Sequence, residues 1–101
     1  MTDKYYELMS LGVPQDLHGY YYLMVGIMLS AEDINLAIKS VTKELYPKIA
    51  DICDTTPLRV ERCMRHAIER TNSYKLFGDP DKKPTNSAFI ACMANRIRRK
   101  F

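Results

Sequence analysis

Residues 47–70, PKIADICDTTPLRVERCMRHAIER, decide the fold, because they pattern as two short helices joined by a tight turn. In the second half, Thr56 is predicted to cap a helix and Pro57 to occupy its first position, where a missing N–H costs nothing. The first half places Ile49 and Cys53 on one inward side. Together these features predict a helix-turn-helix within an all-α protein.

The helix that begins at Pro57 and is predicted to run to about Asn72 has two faces on a helical wheel with about 100° per residue. The inward face lies within about 60° of Val60. It comprises Val60, Cys63, Met64, Ala67 and Thr71, with Ile68 at its flank. The outward face lies between about 140° and 260°, and it comprises Arg59, Arg62, Arg65, His66 and Glu69. Taken alone, a basic face of this kind is more typical of a solvated surface.

The turn and the helix before it favour DNA binding instead, because a helix-turn-helix inserts its second helix into the major groove. An arginine fork binds guanine O6 and N7 together, which makes Arg59 and Arg62 candidate base readers. Glu61, at the edge of the outward face, is a candidate acceptor for cytosine N4. Thr55 and Thr56, with backbone N–H groups expected to be free at the helix start, are candidates for holding a phosphate.

Charge is unevenly distributed along the chain. Residues 1–37 carry one lysine and five acidic residues, for a net charge of −4, whereas residues 38–101 carry fourteen Lys and Arg and seven acidic residues, for +7. The closing segment NRIRRKF supplies a candidate phosphate clamp from Arg96, Arg98, Arg99 and Lys100. A solubilising tail is an equally good interpretation of that segment. The basic part of the chain points towards a polyanionic partner.

Apolar periodicity predicts four further helices, at residues 3–11, 15–30, 34–46 and 87–99. The second of these is apolar nearly all round, so it is predicted to be the central buried helix, with Ser30 capping the connection that follows. Pro47 either begins the next helix or kinks the one before it. Asn86 or Ser87 is predicted to cap the last helix, after a loop at 77–86.

The 101 residues, 47% of them hydrophobic, suit one domain with a modest core. The inward face of the helix at 34–46 is predicted to comprise Ile34, Ala37, Ile38, Val41 and Leu45. That of the last helix is predicted to comprise Phe89, Ile90, Met93, Ala94 and Ile97. Residues 1–101 are therefore predicted to form a single helix-turn-helix domain.

Several classes of protein are disfavoured. The longest apolar run, Tyr20–Leu29, is far shorter than the roughly 20 residues of a membrane span, and MTDKYYELMS lacks the order of a signal peptide. Cys53, Cys63 and Cys92 lie in apolar contexts without a CxxC pair, which predicts reduced core thiols of a cytoplasmic protein. No motif of an enzyme site occurs, so neither catalysis nor a cofactor, metal or small-molecule substrate is predicted.

Four blocks of the sequence resemble, in order, the C-terminal DNA-binding domain of stage 0 sporulation protein A, a response regulator that commits endospore-forming bacteria to sporulation. They are GVPQDLHGYYYL (12–23), VTKELYPKIADICDTTPLRVERCMRHAIER (41–70), LFG (76–78) and KPTNSAFIACMANRIR (83–98). The combination of RVERxxRHAIE with KPTNSxFIA is highly specific. The resemblance covers most of the chain.

The resemblance implies a compact all-α bundle of about six helices, in the winged-helix-like superfamily but without a wing. It also implies recognition of a short promoter box in double-stranded DNA by the helix at 57–71. The family's base- and phosphate-contacting positions fall on Arg59, Glu61, Arg62, Arg65 and His66. Phe77 matches a position in the surface that contacts the sigma factor of RNA polymerase.

The chain also departs from the family pattern. No receiver domain is expected, since residues 1–10 are too few for a phosphorylatable aspartate site, so activation by phosphorylation is not carried over. The segment from RHAIER to LFG, and the loop from LFG to KPTN, are shorter than expected for the family, which weakens the case for sigma contact. Leu58 stands where a small polar residue is expected.

The sequence leaves several alternatives open. The protein either activates or represses transcription, and it binds DNA either as a monomer or with a second copy on an adjacent half-site. The alternative function is that of a protein-interaction module or antagonist of the same fold, which binds a regulator or RNA polymerase rather than DNA.

Overall fold

The computed structural model describes residues 18–70 and 84–100, the side chains of Arg99 and Lys100 excepted. The predicted helix at 3–11 and Phe77 lie outside these ranges. Within them the helices are α1 (His18–Glu32), α2 (Asn35–Ile38), α3 (Tyr46–Cys53), α4 (Pro57–Glu69) and α5 (Asn86–Lys100), with a π-helical turn at Val41–Leu45 between α2 and α3. Neither described range contains a strand, which confirms the all-α class, with slightly fewer helices described than the six expected.

Helix α1 is the central helix, as predicted, because it packs against both α4 and α5. Leu23 and Ile27 are fully buried along it, whereas Tyr21 faces solvent. Gly19, in the first described turn of α1, lies directly against the backbone of α4: a Cβ at this position would overlap the Cys63 carbonyl oxygen and lie 2.8 Å from Ala67 Cβ. Glycine therefore permits the close approach of the two helices.

The predicted end of this helix is wrong. Ser30 does not cap a connection but lies inside α1, fully buried, and its hydroxyl has no hydrogen-bond partner among the described residues. Ile34 is the N-cap of α2, and Asp33, immediately before it, accepts a hydrogen bond from the Asn35 backbone N–H through its side-chain Oδ1 at 3.2 Å. Asp33 lies beyond the last apolar position, so its side chain is free to bond to the backbone. Ser30 lies within the apolar run, where its side chain is needed to fill the core.

The prediction of a single helix at 34–46 is also wrong, because this segment is divided into α2 and the π-helical turn. Pro47 begins the next helix, as one of the two interpretations had it, since it lies in the first turn of α3. Its ring nitrogen cannot donate to the carbonyl four residues back, and the turn before it is widened, with the Tyr46 N–H bonded to the Val41 carbonyl. The division turns Ile38, predicted to face inward, out to solvent at 60% exposure.

Helix α5 buries the predicted apolar face, comprising Phe89, Ile90, Met93, Ala94 and Ile97. Its cap is Thr85 rather than Asn86 or Ser87, because the Thr85 hydroxyl accepts a hydrogen bond from the Ala88 N–H at 3.1 Å. Thr85 is the better placed of the three, since its carbonyl also accepts the first helical hydrogen bond, from Phe89. Asn86 is thereby released for another role, described below.

The three cysteines are free thiols, and all are half-buried rather than fully buried. Cys53 and Cys63 pack against the hydrophobic core. The predicted placement at the core is therefore correct in part, since each residue is also partly exposed to solvent. Burial raises the pKa of the Cys53 thiol, which lowers the fraction of reactive thiolate at neutral pH.

Candidate nucleic-acid interface

The turn between α3 and α4 is built by three consecutive residues. Asp54 ends α3 in the left-handed conformation, at φ 55° and ψ 56°, and its N–H donates to the Ala50 carbonyl. The Thr55 N–H donates to the same carbonyl at 2.9 Å, a pairing that closes a helix C-terminus. Thr56 then caps α4 as predicted, since its hydroxyl accepts from the Arg59 N–H at 3.2 Å, and Pro57 follows at the first position. The structure thus contains the predicted helix-turn-helix junction.

One expectation about this turn is wrong. The Thr55 N–H is not free for a phosphate, because the Ala50 carbonyl already accepts it. Pro57 has no N–H, and that of Arg59 is capped. The backbone donors left free at the start of α4, among the described residues, are those of Thr56 and Leu58.

The two predicted faces of α4 separate cleanly in the structure. The buried residues are Val60, Met64, Ala67 and Ile68. The exposed residues include Arg59, Arg62, Arg65, His66 and Glu69. Cys63 is half-buried, and Thr71 lies outside the described residues. The helix ends at Glu69, with Arg70 as its C-cap. The outward face, which we call the cationic face, therefore extends from Arg59 to the end of the helix.

Glu61 and Arg65 form an ion pair across one turn of α4, with Arg65 Nη1 2.8 Å from Glu61 Oε1. Glu61 is the less exposed partner, at 28% against 56% for Arg65, as its position at the edge of the outward face implies. Exposed ion pairs of this kind are weak, so the pair can open or share its charges when another partner arrives. Within the part of the chain that the structure describes, Arg59 and Arg62 have no such partner.

Asn86 joins α4 to both neighbouring helices, a role that the sequence did not reveal. Its side-chain Nδ2 donates to the Tyr46 hydroxyl at 3.0 Å and to the Glu61 backbone carbonyl at 3.1 Å. Burial raises the pKa of the Tyr46 hydroxyl, while the hydrogen bond from Asn86 acts in the opposite direction. The start of α3 and the middle of α4 are therefore held together by one amide from α5.

We expect Asn86→Ala to lower the free energy of unfolding by about 1–2 kcal/mol, because the buried Tyr46 hydroxyl and the Glu61 carbonyl each lose the hydrogen bond from the Asn86 amide. Urea denaturation followed by circular dichroism measures this change. In a Tyr46→Phe background the same substitution should cost less, since one of the two acceptors is already gone. Ser87→Ala is the matched control, because the hydroxyl of Ser87 lies at a long 3.4 Å from that of Thr85. Equal losses from Asn86→Ala and Ser87→Ala would contradict the bridging role.

The remaining predicted contacts are dispersed. Thr55 is half-exposed and Thr56 exposed at the start of α4, whereas Arg98 is exposed on the last turns of α5. Arg98 lies about 18 Å along α5 from Asn86, at 1.5 Å per residue. Arg98 therefore lies far along α5 from the point at which Asn86 bonds to α4.

The described residues contain neither a metal site nor a membrane-spanning helix. No group of three or more His, Cys, Asp or Glu side chains there is arranged to hold a metal ion. The CxxH pair of α4 is divided, because Cys63 is half-buried and His66 is exposed. No helix in residues 18–70 or 84–100 combines the length and hydropathy that a membrane span requires.

A comparison with known protein families found one match that extends over nearly the whole chain. Residues 5–97 match the family described as "Sporulation initiation factor Spo0A C terminal". The match includes the helix-turn-helix junction, the cationic face of α4 and the first twelve residues of α5.

Proposed function

The chain belongs to the family of the C-terminal domain of the sporulation initiation factor Spo0A, and we propose that it recognises specific sequences in double-stranded DNA and thereby regulates transcription. The family is one of DNA-binding domains that regulate transcription in sporulation. The observation that carries the finer proposal is the exposed arginine face of α4 directly after a capped helix-turn-helix junction.

In this proposal, α4 enters the major groove with its first turns against the base edges. Arg59 and Arg62 are exposed and without an ion-pair partner among the described residues, so each guanidinium fork is available for guanine O6 and N7. Glu61 accepts from cytosine N4 after sharing or releasing Arg65. Because Arg65 is exposed and solvent weakens the pair, Arg65 can turn to a phosphate as Glu61 turns to a base.

Backbone contacts complete the proposed interface. The free N–H groups of Thr56 and Leu58 lie at the start of α4, where a helix favours an anion. His66 and the more distant Arg98 supply further contacts to phosphates, as do Arg99 and Lys100 at the end of α5. Such contacts set affinity and register, whereas the base contacts set the preferred sequence.

We further propose that residues 1–101 act as one domain and that two copies occupy adjacent half-sites. One small helix-turn-helix buries a limited area on DNA, and tight binding by this motif commonly uses a pair of half-sites about one helical turn apart. A contact of Phe77 with the RNA polymerase sigma factor, and a cytoplasmic location, stay predictions from the sequence; Phe77 lies outside the described residues.

The proposal is tested by selecting duplexes from a random library with the whole chain and measuring binding to the selected sequence by mobility shift. We expect a preference of about a thousandfold or more over a scrambled duplex. The logarithm of the binding constant should fall linearly with that of the salt concentration, with a slope of about −0.9 per phosphate contacted. If micromolar protein shifts no duplex at moderate salt, DNA binding is wrong, and the alternative of a protein-interaction module or antagonist gains support.

A further inference from the structure

Leu58 is an apolar side chain on the outward, arginine-bearing face of α4. It is the second residue of α4, and it is 59% exposed. On the helical wheel it lies at about 160° from Val60, between Arg65 at about 140° and Arg62 at about 200°. The core does not require it, because Val60 on the opposite face is fully buried.

The surroundings of Leu58 restrict the partner that it fits. Arg59, Arg62 and Arg65 are all exposed beside it, so a partner covering this face must be anionic while presenting an apolar group near the start of α4. The major groove of duplex DNA meets both conditions, since phosphates flank the groove and the 5-methyl group of thymine projects into it. An apolar protein surface would leave the arginines without counter-charge.

The position of Leu58 agrees with this partner. A helix-turn-helix presents the first turns of its second helix to base edges, and Leu58 lies in the first turn, whose backbone is held by the Thr56 cap. Its side chain has no hydrogen-bonding atom, so it cannot read the donors and acceptors that distinguish the other base edges. Residues four apart are neighbours on a helix surface, which places Leu58 beside Arg62.

We propose that Leu58 is a specificity-determining residue that packs against the 5-methyl group of a thymine, next to the base contacted by Arg62. This inference rests on the proposed function, because it assumes that α4 reads the major groove. Burial of one methyl group supplies roughly a fourfold preference. The DNA sequence that this chain prefers would therefore include a thymine at this position. A variant with a polar residue in place of Leu58 would not prefer thymine there.

The test uses the whole chain and the duplex selected from the random library. Each thymine is replaced singly by deoxyuridine, which removes the 5-methyl group and leaves base pairing intact. We expect one position at which the replacement weakens binding by about fourfold. For Leu58→Ala the same replacement should have a clearly smaller effect, because the shorter side chain covers less of the methyl group.

Ile52→Ala is the matched control, because Ile52 is an aliphatic residue of equal exposure, 58%, on α3 rather than α4. That variant should retain the full sensitivity to deoxyuridine. If no thymine is sensitive, or if Leu58→Ala stays as sensitive as the unmodified chain, the inference is overturned while DNA binding stands. If no duplex is selected at all, the proposed function itself fails, and the inference fails with it.

Discussion

Replacing Gly19 with alanine is expected to lower the free energy of unfolding by about 3 kcal/mol, at the upper end of the usual cost of overpacking a core. The added Cβ would overlap the Cys63 carbonyl oxygen and lie 2.8 Å from Ala67 Cβ. The carbonyl belongs to the backbone of α4, so no side-chain rotation can relieve the overlap. The two helices must move apart, and the contact between α1 and α4 loosens along its length.

Gly26→Ala provides the control within the same helix. A Cβ at Gly26 would lie 3.1 Å from Ile49 Cδ1 and 3.2 Å from Met64 Cε, and both atoms are the far ends of flexible side chains. Small shifts accommodate the methyl group, and the gain in helix propensity of about 1 kcal/mol offsets their cost. We therefore expect this variant to be close to the unmodified protein in stability.

Both variants are compared by urea denaturation followed by circular dichroism in the helical region. If Gly19→Ala does not fold, its circular dichroism spectrum alone establishes the loss, while Gly26→Ala stays folded. Similar stabilities for the two variants would contradict the close approach of α1 and α4. The comparison also bears on the interface, because Gly19 packs against the inward side of the helix that carries the arginine face.

Arg62→Ala is expected to reduce the preference for the selected duplex over a scrambled one by about 5- to 150-fold, the range for one bidentate base contact. Binding to the scrambled duplex should change little, because Arg62 is assigned to a base edge rather than to a phosphate. Arg62→Lys should lose most of the preference while keeping the charge, since an ammonium group cannot form the planar fork. Mobility-shift titrations on both duplexes measure the ratio.

Arg70→Ala is the matched control for this prediction, because Arg70 is an exposed arginine at the C-terminal end of α4, about two turns beyond Arg62. It should weaken binding to the two duplexes by the same small factor, or not at all. An equal loss on both duplexes for Arg62→Ala, together with a salt slope reduced by about 0.9, would assign Arg62 to a phosphate instead. Direct base readout by Arg62 would then be wrong.

The interface helix was largely predictable from the sequence because its determinants are local. The Thr56 hydroxyl caps an N–H three residues away, and Pro57 suits the first position through its own ring. The separation of Arg62 from Met64 follows from helical geometry alone. Distances of a few residues need no knowledge of the rest of the chain, and the structure bears out each of these features.

The incorrect predictions depended on more than the apolar spacing of the segment itself. Ile38 has the spacing of an inward residue, yet the widened turn before Pro47 rotates it to solvent. Serine is a common capping residue, yet α1 continues through Ser30 because Ser30 is buried between packed helices. The burial of Ser30 depends on the packing of neighbouring helices, whereas the exposure of Ile38 accompanies the division of the predicted helix before Pro47.

By itself, the sequence determined the all-α class, the helix-turn-helix junction and the two-sided character of α4, because helical period and capping act over a few residues. The tertiary structure alone decided how α4 is held. Gly19 sets its distance from α1, and Asn86 bonds its middle to α5 across 25 residues of sequence. Such contacts join residues far apart along the chain. The position of a residue on its own helix does not indicate which distant residue it will contact.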